Sequence, residues 1–153
     1  MRQTDLLFSD CRHTIDVILK AALFFWGVFK GRIAMAKILA LDDMEDAANL
    51  IRRILKRQGH VVSAFSDEEE AIKFAADHTI DLAILDIKLK KMNGVEVLEE
   101  LKQIHPKMKA IMLTGYPTME TAKASLKLGA SDYCVKPIDN DELEAKVKKA
   151  LSE

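Results

Sequence analysis

What this sequence most lacks is an excess of charge of either sign. Its 23 Lys and Arg residues stand against 24 Asp and Glu residues, a formal net charge of −1. That balance argues against a dedicated nucleic-acid binder, which presents a basic face. Cysteine is almost absent. Cys11 and Cys134 lie far apart and in no metal-ligand spacing, so they read as two reduced thiols in a cytosolic protein. No apolar run reaches the roughly 20 residues that a simple bilayer-spanning helix needs. Neither G-x-G-x-x-G nor a P-loop occurs, so there is no glycine-rich cradle for a nucleotide. There is also no internal repeat, no low-complexity tract and no Pro/Gly/Ser linker. What remains is 153 residues, 49% apolar and 31% charged, which suits one soluble globular domain with a full core.

The first 36 residues differ from the rest. "IDVILKAALFFWGVF", residues 15–29, is interrupted by Asp16 and Lys20. It resembles the apolar centre of a signal peptide, and "AMA" at 34–36 resembles a cleavage site. The charge order is reversed, however: Asp5, Asp10 and Asp16 precede or enter the run, and Lys30 and Arg32 follow it. "MAKILALDD" from Met35 reads as a natural start. Residues 1–34 are therefore expected to be an N-terminal extension outside the native domain, which spans 35–153. A peripheral membrane helix or partner helix is the alternative.

From Met35 the pattern is regular. "KILALDD" (37–43) is a short apolar run ending in two acids. Ala47, Leu50, Ile51, Ile54 and Leu55 follow at helical spacing, with Gly59 as a stop. "HVVSAF" (60–65) is strand-like, and Ser66 with Glu69 forms a capping-box pattern opening a helix to about His78. "DLAILD" (81–86) again ends in an acid. Asn93-Gly94 precedes Val97, Leu98, Leu101 and Ile104 at helical spacing. "KAIMLTG" (109–115) is a strand ending on a hydroxyl, and "PTMETAKASLKLG" (117–129) a helix with Pro near its start and Gly at its end. "DYCVKP" (132–137) is a short strand stopped by proline, and 139–151 is the last helix. Five strands alternating with five helices predict βαβ units, hence an α/β fold with a doubly wound parallel sheet and helices on both faces. Right-handed crossovers bring the carboxyl ends of all strands to one edge, where ligands bind in such sheets.

That edge collects chemistry. The first strand delivers Asp42 and Asp43, the third Asp86, the fourth Thr114, and the fifth Lys136-Pro137. Three converging carboxylates repel and cannot all stay ionised without a cation. A hard divalent cation resolves this, and magnesium suits one or two carboxylates plus waters. A hydroxyl and an ammonium opposite complete a pocket for a phosphoryl group. With no nucleotide cradle, the phosphoryl needs a covalent handle, and Asp86 is the candidate nucleophile. Taken singly, each residue has a plainer explanation: Asp42, Asp43 and Asp86 as helix caps, Thr114 as an ordinary strand end, Lys136 as surface. Together they do not.

With the Asp-Asp, Asp, Thr and Lys-Pro set in this order, residues 35–153 closely resemble the receiver domain of two-component response regulators. The resemblance implies a flavodoxin-like sheet of five strands in the order 2-1-3-4-5, flanked by five helices. It implies that Asp86 is the phosphoacceptor, served by a sensor histidine kinase or phosphotransferase. It further implies that Asp43 and Asp86 bind Mg²⁺ directly, that Asp42 acts through water, and that the Lys88 carbonyl completes the protein ligands. Thr114 and Lys136 would hold the phosphoryl oxygens. Tyr133 matches the switch aromatic that turns inward when Thr114 moves, although half-buried packing alone would also explain it. The Lys136–Pro137 bond is expected to be cis. One departure stands out: Lys90 takes the place, four residues after the acceptor, where the family usually has proline.

Lys88 and Tyr116, two residues after the acceptor and two after the threonine, flank the line along which water would attack. Neither is suited to orienting that water, so slow self-dephosphorylation of a relay type is expected. The remaining polar residues look ordinary. His13, His60, His78 and His105 show no ligand spacing and read as solvated, as do Lys146, Lys148 and Lys149 on the last helix.

The leading functional expectation is a cytoplasmic phosphorylation-dependent response regulator. It would be a binding switch rather than a turnover enzyme, with no membrane span and no direct nucleic-acid contact. With no output domain after the last helix, it would work alone on a downstream protein target, phosphorylation-dependent homodimerisation being left open. Two alternatives stand beside it. One is the N-terminal receiver fragment of a larger DNA-binding regulator, which "YPTMETAKASLKLGASDY" resembles. The other is an aspartyl-phosphate phosphatase, which wants a second acid where this chain has Lys88.

Overall fold

The computed structural model describes residues 35–152; the expectations for residues 1–34 and for His13 lie outside them. The elements alternate throughout: β1 (Lys37–Leu41), α1 (Glu45–Arg57), β2 (Val61–Phe65), α2 (Glu68–Asp77), β3 (Leu82–Asp86), α3 (Gly94–Ile104), β4 (Lys109–Thr114), α4 (Met119–Lys127), β5 (Asp132–Val135) and α5 (Asn140–Ser152). All strand pairs are parallel, in the order β2-β1-β3-β4-β5. The expected doubly wound sheet of order 2-1-3-4-5 is therefore the one observed.

Successive side chains of a strand face opposite sides, and this period of two divides the core. Ile38 and Ala40 of β1, Leu82 and Ile84 of β3, and Ile111 and Leu113 of β4 face one layer, which Ile51, Ile54 and Leu55 of α1 and Leu143 and Val147 of α5 cover. Leu39, Leu41, Ala83, Leu85, Ala110 and Met112 face the other layer, covered by Ala71 and Ala75 of α2 and Val97, Leu98 and Leu101 of α3. Because β3 is buried on both faces along its whole length, it reads as a continuous apolar run until Asp86. Among the described residues, no helix is long and apolar enough to cross a membrane.

The helix starts are set by local chemistry. At α2 the cap is Asp67, not the expected Ser66: its Oδ1 accepts the N–H groups of Glu69 and Glu70 at 3.0 and 3.1 Å. Two cap-competent residues adjoin here, and the carboxylate takes the two free donors of the first turn. A capping box does form, but at α3, where Asn93 accepts the Val95 N–H and Glu96 accepts the Asn93 N–H. Gly94 follows because a Cβ there would run into the Asp86 carbonyl and the Ile87 backbone. A side chain at 94 would push α3 away from the end of β3.

Three further expectations are corrected. His60 is buried, its Nδ1 accepting the Ala36 N–H at 3.3 Å. His105 is half-buried and bonds the Ala75 carbonyl at 2.7 Å; His78 is exposed as expected, stacked on Phe74. Lys146 is not merely solvated: it pairs with both oxygens of Asp132 at 3.2 Å. In each case the partner comes from tertiary packing or the neighbouring turn rather than from any ligand spacing in the sequence. The fifth strand also stops at Val135, short of the proline.

Candidate functional site: an acidic pocket at the carboxyl edge of the sheet

The parallel sheet delivers its strand ends together. Asp42 and Asp43 lie just beyond β1, Asp86 is the last residue of β3, and Thr114 ends β4. One carboxylate oxygen from each of Asp42, Asp43 and Asp86 lies within 4.8 Å of the other two. Asp42 and Asp86 are buried and Asp43 half-buried. Asp42 Oδ1 accepts the Met44 N–H at 3.0 Å, which fixes that carboxylate at the mouth of α1.

Lys136 arrives from the turn after β5. Its Nζ lies 2.5 Å from Asp42 Oδ2 and 3.2 Å from Asp86 Oδ2. Burial works against the lysine's charge, but Asp42 and then Asp86 outweigh it, and its pKa is raised. The Asp86 carboxyl is also pushed up: burial is the largest cause, Lys136 opposes it, and the neighbouring Asp42 adds to it. One cation thus faces three carboxylates, which leaves an acidic excess. An all-oxygen donor set of this kind fits a hard divalent cation such as Mg²⁺ and offers nothing to a soft metal.

The remaining expected site residues surround this cluster. Thr114 is buried, and its Oγ1 accepts the Tyr116 N–H at 3.1 Å. Lys88 begins the loop after Asp86. Its N–H reaches toward Asp86 Oδ1 at 3.4 Å, and Lys88 pairs with Asn93 across the neck of that loop. The Lys88 ammonium sits 4.6 Å from the centroid of the Tyr116 ring, a cation–π contact joining the two positions that flank the pocket. Tyr133 is half-buried against the α2/α3 layer, and its hydroxyl lies 3.0 Å from Thr121 Oγ1 on α4. The Lys136–Pro137 bond is cis. Sequence reasoning passed over Glu68, a buried carboxylate at the start of α2 that bonds the loop after Asp86. No local pattern marks it, because its partner, Lys91, is 23 residues away.

Comparison with known proteins agrees with this fold. A putative NtrX-like response regulator of Rickettsia bellii is 37% identical over 120 residues, covering 77% of this chain and 25% of that protein. The chain thus spans about a quarter of the length of that relative. The crystal structure of a CheY-like response regulator receiver domain protein from Methanospirillum hungatei matches with a TM-score of 0.75 at 34% identity, over 78% of this chain and 95% of that one. A Burkholderia pseudomallei response regulator, crystallised with a phosphorylated aspartic acid, a calcium ion and citrate, matches with a TM-score of 0.70 at 28% identity, over 76% of this chain and 69% of that one. The family model for the response regulator receiver domain matches residues 38–148. This chain belongs to the response regulator receiver domain family.

Proposed function

We propose that the domain is the phospho-accepting switch of a two-component or phosphorelay pathway. Asp86 would take a phosphoryl group from a phosphohistidine of a sensor kinase or phosphotransferase. The observation that carries this reading is the convergence of three carboxylate oxygens within 4.8 Å, with Lys136 bridging two of the acids. A Burkholderia pseudomallei relative with a phosphorylated aspartic acid and a calcium ion supports it by analogy.

An Asp86 oxygen attacks the phosphorus in line, the P–N bond breaks, and the imidazole leaves with the electron pair. Asp43, Asp86 and the Lys88 carbonyl would hold Mg²⁺, with Asp42 acting through water, and the ion would neutralise charge on the acids and the phosphoryl oxygens. Lys136 donates to a phosphoryl oxygen. Thr114 donates its hydroxyl proton to another while still accepting from the Tyr116 N–H. Drawing Thr114 toward the phosphoryl would disturb the Tyr133–Thr121 contact and so bias the surface of β4, α4, β5 and α5, on which a downstream protein or a second copy would dock. Lys88 and Tyr116, held together over the pocket, would slow attack by water and lengthen the life of the phosphorylated state. This is signalling chemistry with one transfer per switching event. Because the sheet, both core layers and the pocket all lie beyond residue 34, the chain from Met35 would fold and accept phosphoryl alone.

A second reading is favoured by the relatives. Several are transcriptional regulators about four times longer than their match to this chain. On that reading the same switch drives an attached output domain. Sequencing past the 3′ end of the coding region separates the two.

The experiment for the acceptor is intact-protein mass spectrometry after incubation with acetyl phosphate and Mg²⁺. One added phosphoryl group is expected, absent in Asp86→Ala and after chelation. Equal labelling of Asp86→Ala, or labelling indifferent to chelator, overturns the proposal.

A further inference from the structure

Glu68 is a buried carboxylate, 2% exposed, that has no place in the acidic pocket. It is the first residue of α2, a position that usually faces water. Its Oε1 accepts the Lys91 N–H at 2.9 Å, a bond that ties the start of α2 to the tip of the loop after β3. Burial raises the Glu68 pKa, but the backbone amides around it, that of Lys91 first, outweigh burial and hold it below the ordinary value.

The same turn of α2 grips the loop a second time. Lys91 Nζ lies 2.7 Å from Asp67 Oδ2 and 3.5 Å from Glu69 Oε1. At the other end, the loop's neck is closed by the Lys88–Asn93 bridge and by the Gly94 N–H on the Ile87 carbonyl at 2.9 Å. Leu89 and Met92 lie half-buried against the α2/α3 layer. Residues 87–93 are thus fixed at the neck by their own backbone and at the tip by α2. The neck carries Lys88, whose backbone touches Asp86.

We propose that Glu68 is a positioning residue for the acceptor pocket: by accepting the Lys91 N–H it fixes the tip of the loop that orients Lys88 beside Asp86. This rests on the phosphoacceptor reading for the role of Lys88. It assigns α2, which contributes no group to the pocket, a part in metal affinity. Shared negative charge at the start of α2 is tolerated because the loop amides and Lys91 neutralise it.

The test compares the full chain with Glu68→Ala, the near-isosteric Glu68→Gln, and Lys91→Ala. Amide hydrogen exchange is followed at Lys90–Met92, with Ala83–Leu85 of β3 as reference, and Mg²⁺ is titrated by amide NMR shifts without a phosphodonor. In Glu68→Ala, exchange at 90–92 should accelerate while β3 keeps its protection. The Mg²⁺ half-saturation should rise about tenfold, as for loss of a residue that orients a metal ligand. The maximal rate of phosphoryl uptake at saturating Mg²⁺ should stay near the wild-type value, so that only the metal dependence moves. Glu68→Gln should fall between, and Lys91→Ala, which keeps the buried carboxylate, should stay within about twofold of wild type.

Unchanged loop exchange and Mg²⁺ affinity in Glu68→Ala would overturn the inference. So would loss of protection at β3 together with the loop in both Glu68 variants, which would make the residue a general stability element. If Glu68→Ala does not fold, Glu68→Gln alone decides. A wild-type protein that neither binds Mg²⁺ nor takes phosphoryl refutes the phosphoacceptor reading instead, and the exchange at 90–92 still decides whether Glu68 holds the loop.

Discussion

Replacing Asp86 by Asn should stabilise the protein in the absence of divalent cation. Asn keeps the shape and removes one charge from the pocket. The Asp86 oxygen lies within 4.8 Å of an oxygen from Asp42 and of one from Asp43. At an effective dielectric constant of about 20, each such repulsion is about 3.5 kcal/mol or more. The attraction to Lys136 at 3.2 Å is about 5 kcal/mol on the same scale. Asp43 is half-buried and better screened, which reduces its share. Lys136 keeps its shorter contact to Asp42 when Asp86 is neutralised. Burial of the Asp86 charge adds to the repulsion, in line with its raised pKa. The balance is a gain of about 1–2 kcal/mol for Asp86→Asn, or about 4–8 °C in Tm for a domain of this size. Thermal and urea unfolding in EDTA at neutral pH measure it. Adding Mg²⁺ should stabilise wild type by mass action and the variant far less, so that the gap narrows or reverses. A less stable Asp86→Asn in EDTA, or equal stabilisation of both proteins by Mg²⁺, would refute the charge-excess argument.

The cation–π contact of Lys88 with Tyr116 predicts that Lys88→Asn combined with Tyr116→Glu shortens the life of the phosphoprotein, followed by decay at matched Mg²⁺ and pH; an unchanged or longer life removes the gating role. Burial lowers the pKa of His60, whose neutral Nδ1 accepts the Ala36 N–H, so the unfolded chain binds that proton first as pH falls below about 6.5. Stability should therefore drop between pH 7.5 and 5.5, with this residue contributing a slope of at most about 1.4 kcal/mol per pH unit. His60→Asn should flatten it, and an unchanged slope sinks the idea. Beryllofluoride, standing in for the phosphoryl group, should shift amide NMR signals at 114–120 and 132–138, because Tyr133 ties β5 to α4 through Thr121. Shifts confined to residues touching Asp86 would count against a switch.

Much of this molecule is written locally. The apolar runs at 37–41, 82–86 and 109–114 are strands buried on both faces, and such strands need no partner to be read. Their alternation with helical periods fixes a parallel sheet, and a parallel sheet fixes which ends meet. Asp42, Asp86 and Thr114 were legible for that reason: they stand where an apolar run stops. Other features depend on residues the chain brings together from a distance. Lys136 is an ordinary surface lysine until folding places it against Asp42, 94 residues away. His60 looks solvated and Glu68 goes unmarked because nothing near them in sequence is their partner; Ala36 and Lys91 lie 24 and 23 residues off. The cap of α2 fell to Asp67 rather than Ser66 because two neighbours compete and only the packed turn selects one. Sequence periodicity thus determined the fold and the acids at its edge. Tertiary structure decided which charges are buried and paired, since burial is set by contacts that span the whole sheet.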